Sequence, residues 1–522
     1  MASSLHSSGC GCCRLSRRRF VAQGCAACAG ALGGLSLLSS ASRAAEAQGR
    51  VKIRLVFSHC LPEEITWPNI GYDYETHKRQ ILAQLQQACP QIEFLPVWSR
   101  TAEDAEKVFA ADKEVAGYLL YFAGMKGSGP QLLPKLGQAK RPTVVVDHMY
   151  AGTGNYFGAM GLIRRSEFKM VPISSSRFSD LTDVVRCFAV LQKPGATADD
   201  FFAAADAVRR KNIGAMGDMT CKPDKVELAP TGEVLQQLKK SKILLVGRQP
   251  GAIGKAIFDE FGTQVVQVEF PELHAAWQQA NPDAANKFAD EWTGKAAKTI
   301  EPKREEIVKS GAMHLAMQQV MKKYDAKAIT INCLGGFYGG HLQAFPCLGF
   351  CDFNDHGLVG ACEGDLMSTI TMLAVGMLTN RPGYISDPVF DTAKNQIIYA
   401  HCVAPTKVFG PNGPSNPYHI RDHSEDRKGA AIRSLLPLDY LTSSMKFIPG
   451  RKECVFHQAK GVENVDEDMA CRTKLAGDVK GQVDKLMRGW EYGWHRVTFY
   501  GDLREPMTEL CKALGITLTE EA

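Results

Sequence analysis

Lys52-Ile53-Arg54-Leu55-Val56-Phe57, followed by Ser58-His59-Cys60-Leu61-Pro62, is the stretch that decides the fold class. Apolar and β-branched residues fill the run and a proline-containing loop ends it, the pattern of a strand. Residues 74–89 carry helical spacing. Val115 to Phe122 and Thr143 to Val146 are further apolar runs, and helical patterns such as 103–112 lie between such runs. Strands alternating with helices predict a parallel sheet covered on both faces. Ligands of such sheets gather at the carboxyl ends of the strands, where Asp147-His148-Met149-Tyr150 sits.

A charged helix over 232–240 leads into the strand Ile243-Leu244-Leu245-Val246, which opens a second α/β unit. The turn from Gly247 to Gly254 (Gly-Arg-Gln-Pro-Gly-Ala-Ile-Gly) lacks the dinucleotide-binding glycine spacing and reads as a plain strand-to-helix turn. Val265 to Val268 is the next strand, 275–323 a long helical region broken near Pro282, and Ala328 to Asn332 another strand. After about residue 380 the texture changes. Ile397 to Ala400 and Thr498 to Tyr500 read as strands, loops rich in Pro, Gly and Asn lie between, and a short helix is expected at 503–514. The expected fold is therefore α/β: two Rossmann-like parallel-sheet domains followed by a β-rich C-terminal domain. Its divisions are a leader at 1–47, α/β domains at 48–238 and 239–360, and the C-terminal domain at 361–522.

The 522 residues exceed one compact core. The net charge of +5 is concentrated in residues 1–47, where five arginines face one acid. The rest is near neutral, which argues against a nucleic-acid partner. Ser16-Arg17-Arg18-Arg19-Phe20-Val21, a mild apolar stretch and Ala45-Glu46-Ala47 form a signal peptide resembling the twin-arginine type. The mature protein is then expected in a periplasm or outside the cell. No later segment has the ~18 uncharged apolar residues of a membrane span. Of 17 cysteines, Cys333, Cys347, Cys351 and Cys362 cluster. Buried thiols, a disulfide and a zinc site are the readings open to them.

Chemistry concentrates in Ala361-Cys362-Glu363-Gly364-Asp365 and the helical run after it, with Leu366, Ile370, Leu373 and Met377 on the apolar spacing. Asp365 stands at the N-cap, and paired carboxylates at a helix mouth suit a divalent cation or proton transfer. His401 closes a predicted strand and His495 precedes one. The polar run Tyr418–Gly429, with His419, His423 and Arg427, reads as a loop whose hydrogen-bonding groups suit a hydroxyl-rich sugar.

These residues together resemble the L-fucose/L-arabinose isomerase superfamily. The likeness rests on Ala-Cys-Glu-Gly-Asp with its helix, on His401-Cys402, and on Trp494-His495-Arg496-Val497-Thr498-Phe499-Tyr500-Gly501-Asp502 followed by Leu510 to Ile516. The resemblance implies two α/β domains, a β-rich third, a Mn²⁺-type cation (Fe, Co or Zn as substitutes), a small carbohydrate substrate and a homo-oligomer. It implies Glu363 and Asp365 as catalytic acids and metal ligands, with His495 as a further ligand. A second acidic ligand is expected some two dozen residues before the motif. Gly335 to Phe350 holds no acid; His341 lies near that place and Asp352 and Asp355 follow, so either His341 replaces the acid, a later aspartate does, or the isomerase site is not intact. His401, Asp355, His419, His423 and Arg427 are the expected sugar-binding groups. A glycoside hydrolase or lyase using Glu363, Asp365 or Asp355, and a non-catalytic sugar-binding protein, are the alternatives on the same fold.

Overall fold

Val51–Ser58 (β1) pairs in parallel with Ile92–Ser99 (β2) on one side and Gly117–Phe122 (β3) on the other. Thr143–Asp147 (β4) and Val171–Ile173 (β5) extend this parallel sheet in the order β2-β1-β3-β4-β5. The computed structural model describes residues 49–522 apart from Lys113 and Glu114. The leader expected at 1–47 lies outside the described residues. β3 and β4 are buried along their whole length, as strands covered on both faces must be. The helices start where their caps dictate. Thr101 and Thr197 each form a reciprocal capping box, with Asp104 and Asp200 respectively.

Lys242–Val246 (β6) and Gln264–Val268 (β7) begin a second parallel sheet, and Lys298–Thr299 (β8) belongs elsewhere. Ala328–Ile331 (β9) and Val359–Ala361 (β10) complete it in the order β10-β9-β6-β7. The helical region expected over 275–323 is three helices, Phe270–Gln278, Pro282–Lys295 and Arg304–Tyr324. Asn281 caps the second, with Pro282 in its first turn. Leu366–Thr379 is a helix buried on nearly every side, because it packs against the second sheet and against the strands that follow.

Those strands are Tyr384–Asp391 (β11), Gln396–His401 (β12), Tyr418–His423 (β13), Lys428–Ser434 (β14), Leu441–Ile448 (β15), Glu453–Asn464 (β16), Thr473–Val479 (β17), Arg496–Tyr500 (β18) and Thr517–Glu520 (β19). Neighbours run β15-β18-β11-β12-β17-β16, and β16 pairs again with β15. The antiparallel ring is thus a closed barrel without free edges, and β19 adds in parallel to the end of β16. The run Tyr418–Gly429, expected as a loop, is the β13–β14 hairpin, joined by β8 into a small sheet. No helix among the described residues is long and apolar enough to cross a membrane.

Candidate active site

The sequence Cys362-Glu363-Gly364-Asp365 folds as a tight turn between β10 and the helix Leu366–Thr379. The amide of Asp365 reaches back to the carbonyl of Cys362 at 3.4 Å. Glu363 and Gly364 both lie in the left-handed region, with φ of 64° and 63°. Glycine takes this conformation freely, whereas glutamate is strained in it. Such an outlier marks a side chain whose direction matters more than its backbone comfort. The turn aims the Glu363 carboxylate at His495, whose Nε2 lies 3.4 Å from Oε2.

Asp365 caps the helix through the Ser368 amide at 3.0 Å and also accepts the Ser368 hydroxyl at 2.7 Å. Its Oδ2 accepts His495 Nδ1–H at 2.9 Å and the buried Lys446 ammonium at 2.9 Å. Burial pushes the Asp365 carboxyl up, but Lys446 and His495 override it and hold it well below the carboxylate range. The Asp365 oxygens are thus engaged by Ser368, Lys446 and His495, where the sequence suggests a ligand or proton carrier. Asp365 fixes the tautomer and tilt of His495 and leaves Nε2 free to face the cavity.

His495 Nε2 meets a second carboxylate. Asp387, buried in β11, places Oδ1 3.2 Å from it. Asp387 Oδ1 and His495 Nε2 are both buried and lack a well-formed hydrogen bond. The Glu363 and Asp387 carboxylates thus converge on one imidazole nitrogen, a donor set that would suit a divalent cation. Burial disfavours charge on His495, yet Asp365, Asp387 and Glu363 outweigh it and raise the imidazole well above its ordinary value. That shift describes a proton on His495, which a cation bound at Nε2 would have to displace.

His401 closes the cluster, and Glu363, His401 and His495 offer ligand atoms within 4.8 Å of one another. His401 Nδ1 accepts the amide of Cys402 at 2.9 Å. The neutral ring therefore carries its proton on Nε2, which points toward Glu363 Oε1 at 3.9 Å. His401 Nε2 is buried without a hydrogen-bond partner, and with its proton there it is a donor toward the space it shares with Glu363 and His495. Burial pushes the Glu363 carboxyl up, but His495 and then His401 bring it down to about 2, so Glu363 is ionised at neutral pH.

The chain is similar to sulfoquinovose isomerases. It is 24% identical over 296 residues to the enzyme of that name from Priestia aryabhattai, covering 54% of this chain and 65% of that protein. A second, from Clostridium sp. (strain MSTE9), is 27% identical over 181 residues, covering 33% of this chain and 40% of that one. The chain thus spans less than two thirds of the curated relatives it matches. No family model matches. An ABC transporter solute-binding protein from Burkholderia multivorans is 12% identical, covering 56% of this chain and 85% of that one, at a TM-score of 0.18. A superposition that poor carries no argument.

Four of the residues singled out by sequence, Glu363, Asp365, His401 and His495, meet in space. The others do not. His341 stacks on Phe270 with ring centroids 5.1 Å apart at the surface and replaces no ligand. The further acid that approaches His495 is Asp387, about two dozen residues after Glu363 rather than before it. Asp355 is buried and holds the amides of Thr406 and Lys407 at 2.7 and 2.8 Å, which pins a loop. His419 lies on β13, in the small sheet. His423 pairs with Asp426 at 3.1 Å inside the hairpin, and Arg427 pairs with Asp468 at 2.7 Å. All three are held by the hairpin and none forms an ion pair with the converging cluster. The cysteines of the described residues are all free thiols, with Cys333 and Cys362 3.7 Å apart beneath the Glu363 turn.

The division between orienting and ligating groups is measurable. Asp365→Asn keeps the helix cap but weakens the hold on His495, so cation affinity falls by about 10- to 100-fold. Titration of metal-stripped protein checks this, and an unchanged affinity removes Asp365 from the role.

Proposed function

We propose that the protein interconverts an aldose and its ketose by moving a proton between neighbouring carbons beside a divalent cation. The observation that carries this reading is the meeting of Glu363, Asp387 and His495 Nε2, with two of those atoms buried and unsatisfied. The names of the relatives, sugar isomerases at low identity, support it. These three residues would hold the ion, with Mn²⁺ the first choice and Fe, Co or Zn chemically acceptable. Once bound, the ion supplies Lewis-acid polarisation of a sugar carbonyl.

The chain's own groups supply the rest. Glu363 is ionised and partly exposed to the cavity, with 31% of its side chain open. It takes the proton from one carbon and returns it to the next. His401 Nε2–H donates to a sugar oxygen from the far side of Glu363. Lys446 balances Asp365, so the buried orienting acid adds no net charge to the cavity. A glycosidase needs two working carboxylates facing one bond; Asp365 is committed to Lys446, His495 and Ser368, so that alternative would have to use Glu363 and Asp387. The twin-arginine-like leader adds the proposal that this chemistry takes place outside the cytoplasm, in an oligomer of this chain.

Two measurements on protein purified without chelator test the reading. Elemental analysis should find close to one Mn, Fe, Co or Zn per chain. Incubation with free aldoses in D₂O should give ketose carrying deuterium next to the carbonyl. Metal-free protein that converts none of a broad set of sugars, even after Mn²⁺ is added back, sinks the proposal.

A further inference from the structure

The cysteines that cluster in the sequence make one close contact that the proposed chemistry leaves unused. The Cys333 and Cys362 sulfurs lie 3.7 Å apart, and both side chains are buried. β9 and β10 run side by side in parallel, and each cysteine stands just past the carboxyl end of its strand. Cys362 is also the residue before Glu363, so whatever moves its sulfur acts on the turn that aims the carboxylate.

The pair sits behind the roughly 400 Å³ cavity whose rim is the Gly247–Gly254 turn. Asn332 and Leu334, on either side of Cys333, line that cavity, as does Glu363. The sulfurs themselves are covered, which shuts out bulky reagents and leaves a small, neutral oxidant such as a peroxide as the fitting class.

Closing the pair distorts the turn. A disulfide needs about 2.05 Å between its sulfurs, so these two must approach by about 1.7 Å. Cys333 opens the helix Cys333–Tyr338, where the Asn332 carbonyl takes the Gly336 amide at 2.8 Å. The Cys362 carbonyl is held by longer bonds, to the Asp365 amide at 3.4 Å and the Thr330 hydroxyl at 3.5 Å. The turn after Cys362, with Glu363 and Gly364 already in the left-handed region, is therefore the part that yields. Metal–ligand distances hold to within about 0.2 Å, so a shift of that turn takes Glu363 out of reach of a shared ion.

We propose that Cys333 and Cys362 are a redox modification site: a peroxide joins them as a disulfide, and the disulfide disarms the Glu363 turn. The peroxide converts one thiol to a sulfenic acid and releases water. The other sulfur then attacks it, forms the S–S bond and releases a second water. Two S–H bonds and the O–O bond break, and two electrons pass from sulfur to the peroxide oxygens. A small dithiol reverses the change by exchange. The modification stands apart from the isomerase reading, while its effect on cation binding rests on that reading's metal site.

For the test, full-length, metal-stripped protein is treated with hydrogen peroxide, its remaining thiols are blocked, and peptide mapping reads the linkage. The peptides carrying Cys333 and Cys362 should be joined. Hydrogen exchange of residues 361–366 should change, and Mn²⁺ affinity by calorimetry should fall by about 10- to 100-fold. Dithiothreitol should reverse all three. Cys333→Ser leaves the turn's own residues in place and should show none of these changes after the same treatment, with Cys333→Ala used if the serine is not tolerated. Thiols at 333 and 362 that stay unlinked, a link that leaves Mn²⁺ affinity where it was, or the same losses in the Cys333 variant overturn the proposal. If neither reduced nor oxidised protein takes up Mn²⁺, the cation site falls, and exchange at the turn alone decides the modification's effect.

Discussion

If the proposed isomerase reading holds, Asp387→Asn should lose the divalent cation and lower sugar isomerisation by at least about 100-fold. The argument is geometric. Asp387 Oδ1 lies 3.2 Å from His495 Nε2 and has no well-formed hydrogen bond, so its lone pair is available to an ion. Replacing it with an amide removes one of two ligating carboxylates and their shared charge, a deeper loss than Asp365→Asn, which disturbs only the orientation of His495. Circular dichroism should show that the barrel still forms, since asparagine is close to isosteric. The decisive comparison is metal content per chain in the two variants. If Asp387→Asn retains stoichiometric metal while Asp365→Asn loses it, the assignment of ligand and orienting acid is reversed.

Glu521→Gln lowers stability by about 3–5 kcal/mol, the cost of leaving a buried charge without its partner. Arg496 is fully buried, lies over the Trp490 ring at 3.9 Å and donates to Glu521 Oε2 at 3.1 Å. His457 Nδ1 is 3.2 Å from the same oxygen. Burial pushes the Glu521 carboxyl up, but Arg496 and His457 override it and hold it at about 2. A carboxyl lowered on folding stabilises the fold above its unfolded value near 4.5 and ceases to do so as pH falls toward 2. Wild type should therefore lose stability across that window, and Glu521→Gln should show a flatter acid limb in urea unfolding. Parallel acid limbs would mean that the ion pair contributes nothing.

The readable parts of the sequence were those with a periodicity to read. The helix Leu366–Thr379 and its Asp365 cap were visible because apolar residues recur at helical spacing behind an N-cap residue. The parallel strands were visible because both faces are buried and the runs are continuously apolar. The barrel was not. Leu441–Ile448 reads Leu-Thr-Ser-Ser-Met-Lys-Phe-Ile, yet Thr442, Ser443, Ser444 and Lys446 are all buried. Their hydroxyls bond to the neighbouring strands, as Ser444 does to Thr498 at 2.7 Å, and Lys446 reaches Asp365. A polar strand satisfied by distant partners looks like a loop in one dimension. Asp387 escaped notice for a related reason. It sits in Tyr-Ile-Ser-Asp-Pro-Val-Phe-Asp, which contains a proline and lies just after a turn. The available signal was an acid inside an otherwise apolar run shortly after the Glu363 motif. His401 and His495 were singled out by their places beside predicted strands, but their distances to Glu363 were not legible, because β12 and the segment before β18 meet only through the barrel's pairing.

The closed ring has a consequence for how such a protein diversifies. Asp387, His401 and His495 are carried on strands, or next to strands, whose every edge is bonded, so that floor tolerates little remodelling. The Gly247–Gly254 turn hangs from a different sheet and touches the floor only across the cavity. Side chains on that turn can therefore change without breaking any pairing of the ring, whereas a change of backbone at Asp387 or His401 cannot.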